Sequence, residues 1–214
     1  MLIGKIKAVR RKVDEVGVLA GLRLTLRQIH LEWCDRDERL YYLDLQTYVR
    51  PSRLKIDGLA HRSVGHIQEL SETDAVALAN YGGAPYVAQA RRRLAAGWQL
   101  FLGQVDGQPA GGAWALTRAT GIVSKVTPIL ATDVAIMDCF TFPEHRGRGL
   151  YPYLLAEIAS FYRDQGSVRA YITVRCHNEA SVRGIESAGF VRGVVYQAIR
   201  IGSRDIVYWK SRAE

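Results

Sequence analysis

Cysteine is scarce in this chain: Cys34, Cys139 and Cys176 stand far apart and are odd in number. Neither a disulfide framework nor a paired zinc-ligand spacing can be built from them, so a reducing cytoplasm is the expected setting. Long apolar runs are missing as well. The longest stretch near the N-terminus, residues 16–22, is cut short by Arg23, and residues 24–29 contain Arg27, which excludes a membrane-spanning helix there. That region also lacks the small-residue site at which a signal peptide is cleaved. Repeats, low-complexity tracts and nucleic-acid-binding motifs are absent too. What remains is a chain of 214 residues, 48% hydrophobic and 23% charged, with enough apolar material to bury the core of a soluble domain.

The charge is unbalanced. Of a net +8, much sits in residues 1–30, where seven Lys and Arg face only Asp14 and Glu15. Ile6, Val9, Val13 and Val16 keep helical spacing there, and Leu19, Leu22, Leu26 and Ile29 repeat it after a slip near Gly17. One or two basic amphipathic helices are expected. Such a segment docks peripherally on an anionic inner-membrane surface or on an acidic partner, or packs on the domain with a solvated basic face. Gly17 and Gly21 favour packing, because they weaken a free-standing helix. A second cluster, Arg91-Arg92-Arg93, lies among Ala88, Ala90, Leu94 and Ala95 and reads as an exposed helix face, with no nucleic-acid partner.

Further along, residues 39–45 suggest a strand and residues 51–62 a polar connection. The expected organisation is therefore an N-terminal extension with a strand over residues 1–60 and a main domain over 61–214. Residues 63–70 can supply the domain's first strand, and Ser71 to Asp74 forms a capping-box-like helix start. Gly82-Gly83-Ala84-Pro85 should break that helix before a second one runs from Tyr86 to Ala96. Asp106-Gly107 marks a hairpin between strands at 99–105 and 110–116, and residues 117–132 read as a long loop.

The most informative stretch lies between Val134 and Phe190. A β-branched and aromatic run, residues 134–142, stops at Pro143. Glu144-His145-Arg146-Gly147-Arg148-Gly149 follows, and Leu150 onward has helical composition, with Leu154, Leu155, Ile158 and Phe161 at helical spacing. A second apolar strand, 168–174, completes a βαβ unit. Glycines before a helix start let a ligand approach free backbone amides, which bind anions. Arg146 and Arg148 add positive charge, so a pyrophosphate suits the turn. A short helix capped by Asn178 then ends at Gly189-Phe190.

These two motifs resemble those of the GNAT superfamily of N-acetyltransferases. Its phosphate loop, Arg/Gln-x-x-Gly-x-Gly/Ala, corresponds to Arg146-Gly147-Arg148-Gly149-Leu150-Tyr151. Its second motif corresponds to Asn178 and Ser181, followed by Gly189-Phe190. The resemblance covers roughly the C-terminal two thirds of the chain. It implies an α/β fold with a central, mixed and mostly antiparallel sheet that splays beside the cofactor and is flanked by helices, the N-terminal helical extension being added to it. It also implies transfer of an acetyl or other acyl group from acyl-CoA to an amine, with no metal. The backbone at Cys139, Phe140 and Thr141 and the residues Arg146, Gly147, Arg148, Gly149, Leu150, Tyr151, Asn178 and Ser181 would hold the cofactor.

Two departures stand out. Tyr151 occupies a position where relatives have a small residue, and Ile185 occupies the place of the tyrosine that many relatives use to protonate the leaving thiolate. Tyr151 and Tyr153 are candidates for the missing acid, with Tyr81 and Tyr86 beside the Gly-Gly turn. Asp138, a carboxylate inside an apolar strand, is the first candidate for the base, since burial raises a carboxyl pKa. Alternatively it is hydrogen-bonded to a neighbouring strand or paired with an arginine. Strand alternation places Asp138 with Ile136 and Phe140, opposite Cys139 and Thr141. A small amine, such as an amino sugar or amino acid, is the expected acceptor. Alternatives are an acyl carrier protein as donor, received by the basic segment and Arg91 to Arg93, and a non-catalytic CoA-binding module. A homodimer is compatible with each.

Overall fold

Apolar alternation and glycine punctuation produce a three-layer arrangement of helix, sheet and helix. The computed structural model describes residues 37–54, 56–117, 127, 129–201 and 204–211, with side chains as far as Gln197. The segment expected to form basic N-terminal helices and most of the 117–132 connection lie outside the described residues. Those described from Glu38 onward belong to one compact unit.

Among the described residues are eight strands: β1 Asp37–Asp44, β2 Leu59–Val64, β3 Gln99–Val105, β4 Gln108–Thr117, β5 Asp133–Thr141, β6 Arg169–Arg175, β7 Val191–Ile201 and β8 Arg204–Ser211. The helices are α1 Glu72–Ala95, α2 Leu150–Asp164 and α3 Glu179–Ser187. The strands form a single sheet in the order β2-β3-β4-β5-β6-β1-β7-β8. The pairs β2–β3, β3–β4, β4–β5, β1–β6 and β7–β8 are antiparallel. β5 and β6 are parallel, as the α2 crossover requires. The sheet is thus mixed and mostly antiparallel. It runs across residue 60, with β1 from before that point lodged beside β6 and β2, which contains residue 60, on the edge.

α2 buries Leu150, Tyr153, Leu154, Leu155 and Ile158 against Phe101, Ala113, Val134 and Ile136 on one face of the sheet. Each fully buried Leu or Ile contributes about 1.5–3 kcal/mol. The close approach depends on Gly103 in β3, where a Cβ would stand 2.7 Å from Leu150 Cδ1. α1 covers the other face, packing Leu78, Ala90 and Leu94 on Leu100, Leu102, Trp114 and Phe140. Ser71 caps α1 by accepting from Asp74 N, and the helix breaks at Gly83, whose φ is +72°. The expected interruption at Gly82-Gly83-Ala84-Pro85 is therefore observed.

The first strand after the connection is Leu59–Val64, earlier than the expected 63–70. Local bonds end it: Glu69 accepts from the Gly65 and His66 amides at 2.7 and 3.3 Å and folds residues 67–69 into a 3₁₀ turn. Pairing with β3, from Leu59 opposite Val105 to Val64 opposite Leu100, then selects the weakly patterned 59–64 segment.

His61 in β2 is packed between Phe101 and Tyr153, with its Nδ1 3.2 Å from the Tyr153 hydroxyl. Burial lowers its pKa below the ordinary 6.5, outweighing the pull of Glu157. The unfolded chain then binds the proton more readily than the fold does. Stability is present above the ordinary value and is lost as pH falls through the lower folded one. The melting temperature should fall between pH 7.5 and 5.5 by several degrees, and by less in His61→Phe. Parallel melting curves for the two proteins would exclude His61 as the cause.

Candidate active site

The site forms where β5 leaves its neighbour. Parallel pairing with β6 runs only from Asp133 opposite Arg169 to Ile136 opposite Ile172. Pairing with β4 continues to Thr141 opposite Gly111. From Met137 onward the β6-side edge of β5 has no partner strand among the described residues, so the sheet opens there. Phe142 N donates to Ala110 O on the β4 side. Period-two alternation therefore turns the Thr141 amide to the open edge.

A bulge lies at the opening. Gly112 faces Phe140 and Trp114 faces Met137, so two steps along β4 match three along β5. Asp138 sits in this extra turn with φ +49°, a left-handed value that costs a non-glycine residue about 1–2 kcal/mol. The bulge corrects the expected alternation. Phe140 and Met137 face α1, whereas Ile136 and Cys139 pack on the α2 side. Asp138 and Ile136 consequently point to opposite faces.

The environment of Asp138 also differs from the expected isolated, buried carboxylate. Its side chain is 34% exposed, and Oδ2 is 2.5 Å from Arg93 Nη1. The Tyr86 hydroxyl donates to the same oxygen at 3.1 Å. Trp114 Nε1 donates to the Tyr86 hydroxyl at 3.4 Å, and the Arg93 guanidinium lies over the rings of Trp98 and Trp114. The arginine pairing that the sequence left open is the one found. Arg93 itself was read as part of an exposed basic face, but its side chain is only 17% exposed. The spacing Tyr86, Ala90, Arg93, Leu94 marks the inward face and is the signal that separates Arg93 from the exposed Arg91 and Arg92.

Beside the open edge lies a cleft of about 700 Å³ between the second half of β5, the start of α2 and the start of α3. Among the expected cofactor residues, Cys139, Phe140, Thr141, Arg146, Gly147, Gly149, Leu150, Tyr151, Asn178 and Ser181 line it. Arg148 does not; it turns to Asp106 in the β3–β4 hairpin, at 2.7 Å. Gly149 is the α2 N-cap in the left-handed conformation, φ +77°, and offers no capping side chain. The first amides of α2 consequently have no partner within the helix. Arg146 stands beside them, its Nε donating to Thr141 O. The buried His145 Nδ1 has no hydrogen-bond partner among the described residues, and His145 is part of the cleft wall. Free amides, an arginine and an unpaired buried imidazole nitrogen suit a phosphate-bearing ligand. Across the cleft, Asn178 Oδ1 caps α3 by accepting from Ser181 N at 3.2 Å.

Tyr151 and Tyr153 diverge, because residues two apart on a helix point about 200° from one another. Tyr153 faces the core with His61, under the Arg50 guanidinium, and lies outside the cleft lining; it is not placed for chemistry there. Tyr151 lines the cleft, and a Cβ on Gly184 of α3 would collide with its ring. The bulky residue at 151 is accommodated by a missing side chain at 184. Tyr151 shares the cleft wall with Cys139, and burial raises the phenol pKa well above its ordinary value. Burial also pushes the Cys139 thiol up to about 12, so the sulfur is a poor nucleophile. Ile185 is fully buried in the core.

Tyr81 joins two cavities. It stacks on Phe140 at 4.4 Å, meets Tyr86 edge-on at 5.2 Å and lines both the cleft and a neighbouring pocket of about 560 Å³. That pocket also includes Val76, Asn80, Gln108, Phe142 and Glu144. Arg183 in the cleft wall was not anticipated from the sequence; its helical position beside Asn178, Ser181 and Gly184 is the signal that could have found it. The described residues contain no cluster of His, Cys, Asp and Glu able to hold a metal ion.

Comparison with known proteins places this geometry. The family model described as the acetyltransferase (GNAT) family matches residues 67–190, more than half of the chain. A GCN5-related N-acetyltransferase from Sphaerobacter thermophilus superposes with a TM-score of 0.51 at 21% identity, over 85% of this chain and 56% of that one. A fungal GCN5-related glucosamine N-acetyltransferase region of a multi-domain β-N-acetylglucosaminidase superposes with a TM-score of 0.55 at 13% identity. That match covers 78% of this chain and 22% of the fungal one. An acetyltransferase of the GNAT family from Colwellia psychrerythraea gives 0.49 at 14% identity, over 73% and 52% of the two chains. The chain thus spans about half or less of the length of these relatives. No curated protein matches it.

Proposed function

Because the chain belongs to the GNAT acetyltransferase family, we propose that it is an N-acyltransferase that moves an acetyl or other acyl group from acyl-CoA to a primary amine by direct attack. The observation that carries this reading is the uncapped, left-handed Gly149 start of α2 opening onto the gap between β5 and β6. Bound acyl-CoA supplies an activated acyl group as a thioester. The α2 amides, Arg146 and His145 would receive its phosphates, and Asn178 and Ser181 would flank the pantetheine arm. The Thr141 and Cys139 amides on the open edge would donate to the thioester carbonyl, where negative charge develops during attack.

In the reaction a carbon–nitrogen bond forms and the carbon–sulfur bond breaks. The amine proton passes to solvent, and the departing sulfur gains the proton of the Tyr151 hydroxyl, which solvent then restores. Tyr151 is given this role by its place in the cleft wall; burial, which raises its pKa, keeps the hydroxyl protonated until charge develops on the departing sulfur. Asp138 is not assigned as the base, since Arg93 and Tyr86 engage its carboxylate. A pocket of about 560 Å³ reached past Tyr81 is of a size for a small amine acceptor.

Calorimetric titration with coenzyme A, acetyl-CoA and a long-chain acyl-CoA, followed by thiol release over a panel of amines, tests the reading. Saturable binding and amine-dependent thiol release are expected. No binding of any of the three thiols or thioesters would overturn it.

A further inference from the structure

The left-handed residue at the bulge is an aspartate, although glycine would hold that conformation without penalty. A strained conformation persists only where its surroundings over-determine it. Those surroundings come from two other elements. α1 contributes Arg93 and Tyr86, both on Asp138 Oδ2, and β4 contributes Trp114, which bonds Tyr86 and carries the Arg93 guanidinium on its ring. Arg93 and Tyr86 grip one oxygen of a side chain whose own backbone is the bulge, and Trp114 braces both of them. The next residues, Cys139 to Thr141, form the cleft wall where β5 has lost β6.

We propose that Arg93 is a positioning residue: through Asp138 it locks the β5 bulge and so fixes the direction of the Cys139–Thr141 backbone along the cleft. The carboxylate of Asp138 acts as the handle by which α1 holds the strand, and proton transfer is not its task. The helix break at Gly83 fits this arrangement, because the second half of α1 then packs on the sheet face of Leu100, Trp114 and Phe140, with Tyr86 and Arg93 on the same side as the bulge. What the lock is for rests on the acyl-transfer reading above, whereas the lock itself is measured separately.

The test compares the wild type with Arg93→Met, Asp138→Ala and the double variant Arg93→Met/Asp138→Gly. Amide hydrogen exchange across residues 137–141 is followed alongside acetyl-transfer kinetics and melting temperature. Arg93→Met should speed exchange at residues 138–141 about tenfold while leaving the centre of α2 unchanged. It should lower kcat about tenfold, with KM for acetyl-CoA within about twofold. Asp138→Ala loses the handle and keeps the left-handed penalty, so it should be at least as impaired. Adding Asp138→Gly to Arg93→Met should recover most of kcat, because glycine adopts the bulge unaided. A double variant as inactive as Asp138→Ala would overturn the proposal and return Asp138 to a chemical role. Unchanged exchange in a folded Arg93→Met protein would overturn it as well. Should the wild type turn over no amine, the acyl-transfer reading fails on its own, and the exchange comparison still decides whether Arg93 holds the bulge.

Discussion

Gly149→Asp should weaken acetyl-CoA binding by about a hundredfold or more, read by titration calorimetry on a protein that still melts cooperatively. Three effects add in one direction. The residue sits at φ +77°, where any L side chain but asparagine or aspartate is strongly disfavoured, and even these are less at ease than glycine. A Cβ there would stand 2.7 Å from Ile56 Cδ1, which must move aside. The carboxylate would then lie at the uncapped amides of α2, occupying the donors and repelling a phosphate. Gly149→Asn separates these effects, since it brings nearly the same shape and backbone tolerance without charge. Its loss of affinity should be clearly smaller. Equal affinities for wild type and Gly149→Asp would remove the phosphate loop from the proposed function.

Tyr151→Phe should lower kcat and kcat/KM together by about a hundredfold, the lower range for losing a general acid. Affinity for acetyl-CoA should change little, because the ring keeps its place against Gly184 and only the hydroxyl is removed. Burial holds the phenol pKa above its ordinary 10. The acid form therefore persists as pH rises, and the wild-type rate should show no alkaline loss below about pH 10 from this group. A thioester with a more acidic thiol needs less help in leaving, so the deficit of Tyr151→Phe should shrink with such a donor. A variant as fast as wild type on acetyl-CoA would show that the thiolate departs without Tyr151.

Local chemistry carried much of this protein into view before any tertiary contact was known. Gly147 and Gly149 before an apolar helix, the Asn178 cap, the Ser71 cap and the break at Gly83 each express a conformational preference within a few residues. All were legible, as were the family and its sheet. The choice between two equally plausible tyrosines was not. It turned on which face of α2 meets the core, and Tyr153 went inward against His61 while Tyr151 met the gap left by Gly184.

Periodicity failed at Asp138 for a related reason. A bulge is set by the mismatch between two paired strands, so the alternation of one strand cannot announce it. Arg93 was hidden inside a run of three arginines because its partner lies 45 residues away in sequence. The insertion of β1 between β6 and β7, and the edge strand at Leu59–Val64, likewise depend on which backbone is available to pair. The sequence by itself determined the helix starts, the turns and the glycine-rich loop before α2, since each follows from short-range sterics and hydrogen bonding. Only the tertiary structure decided the order of the strands, the face to which each polar side chain turns and the grip of α1 on the bulge, because those are settled by packing between segments far apart in the chain.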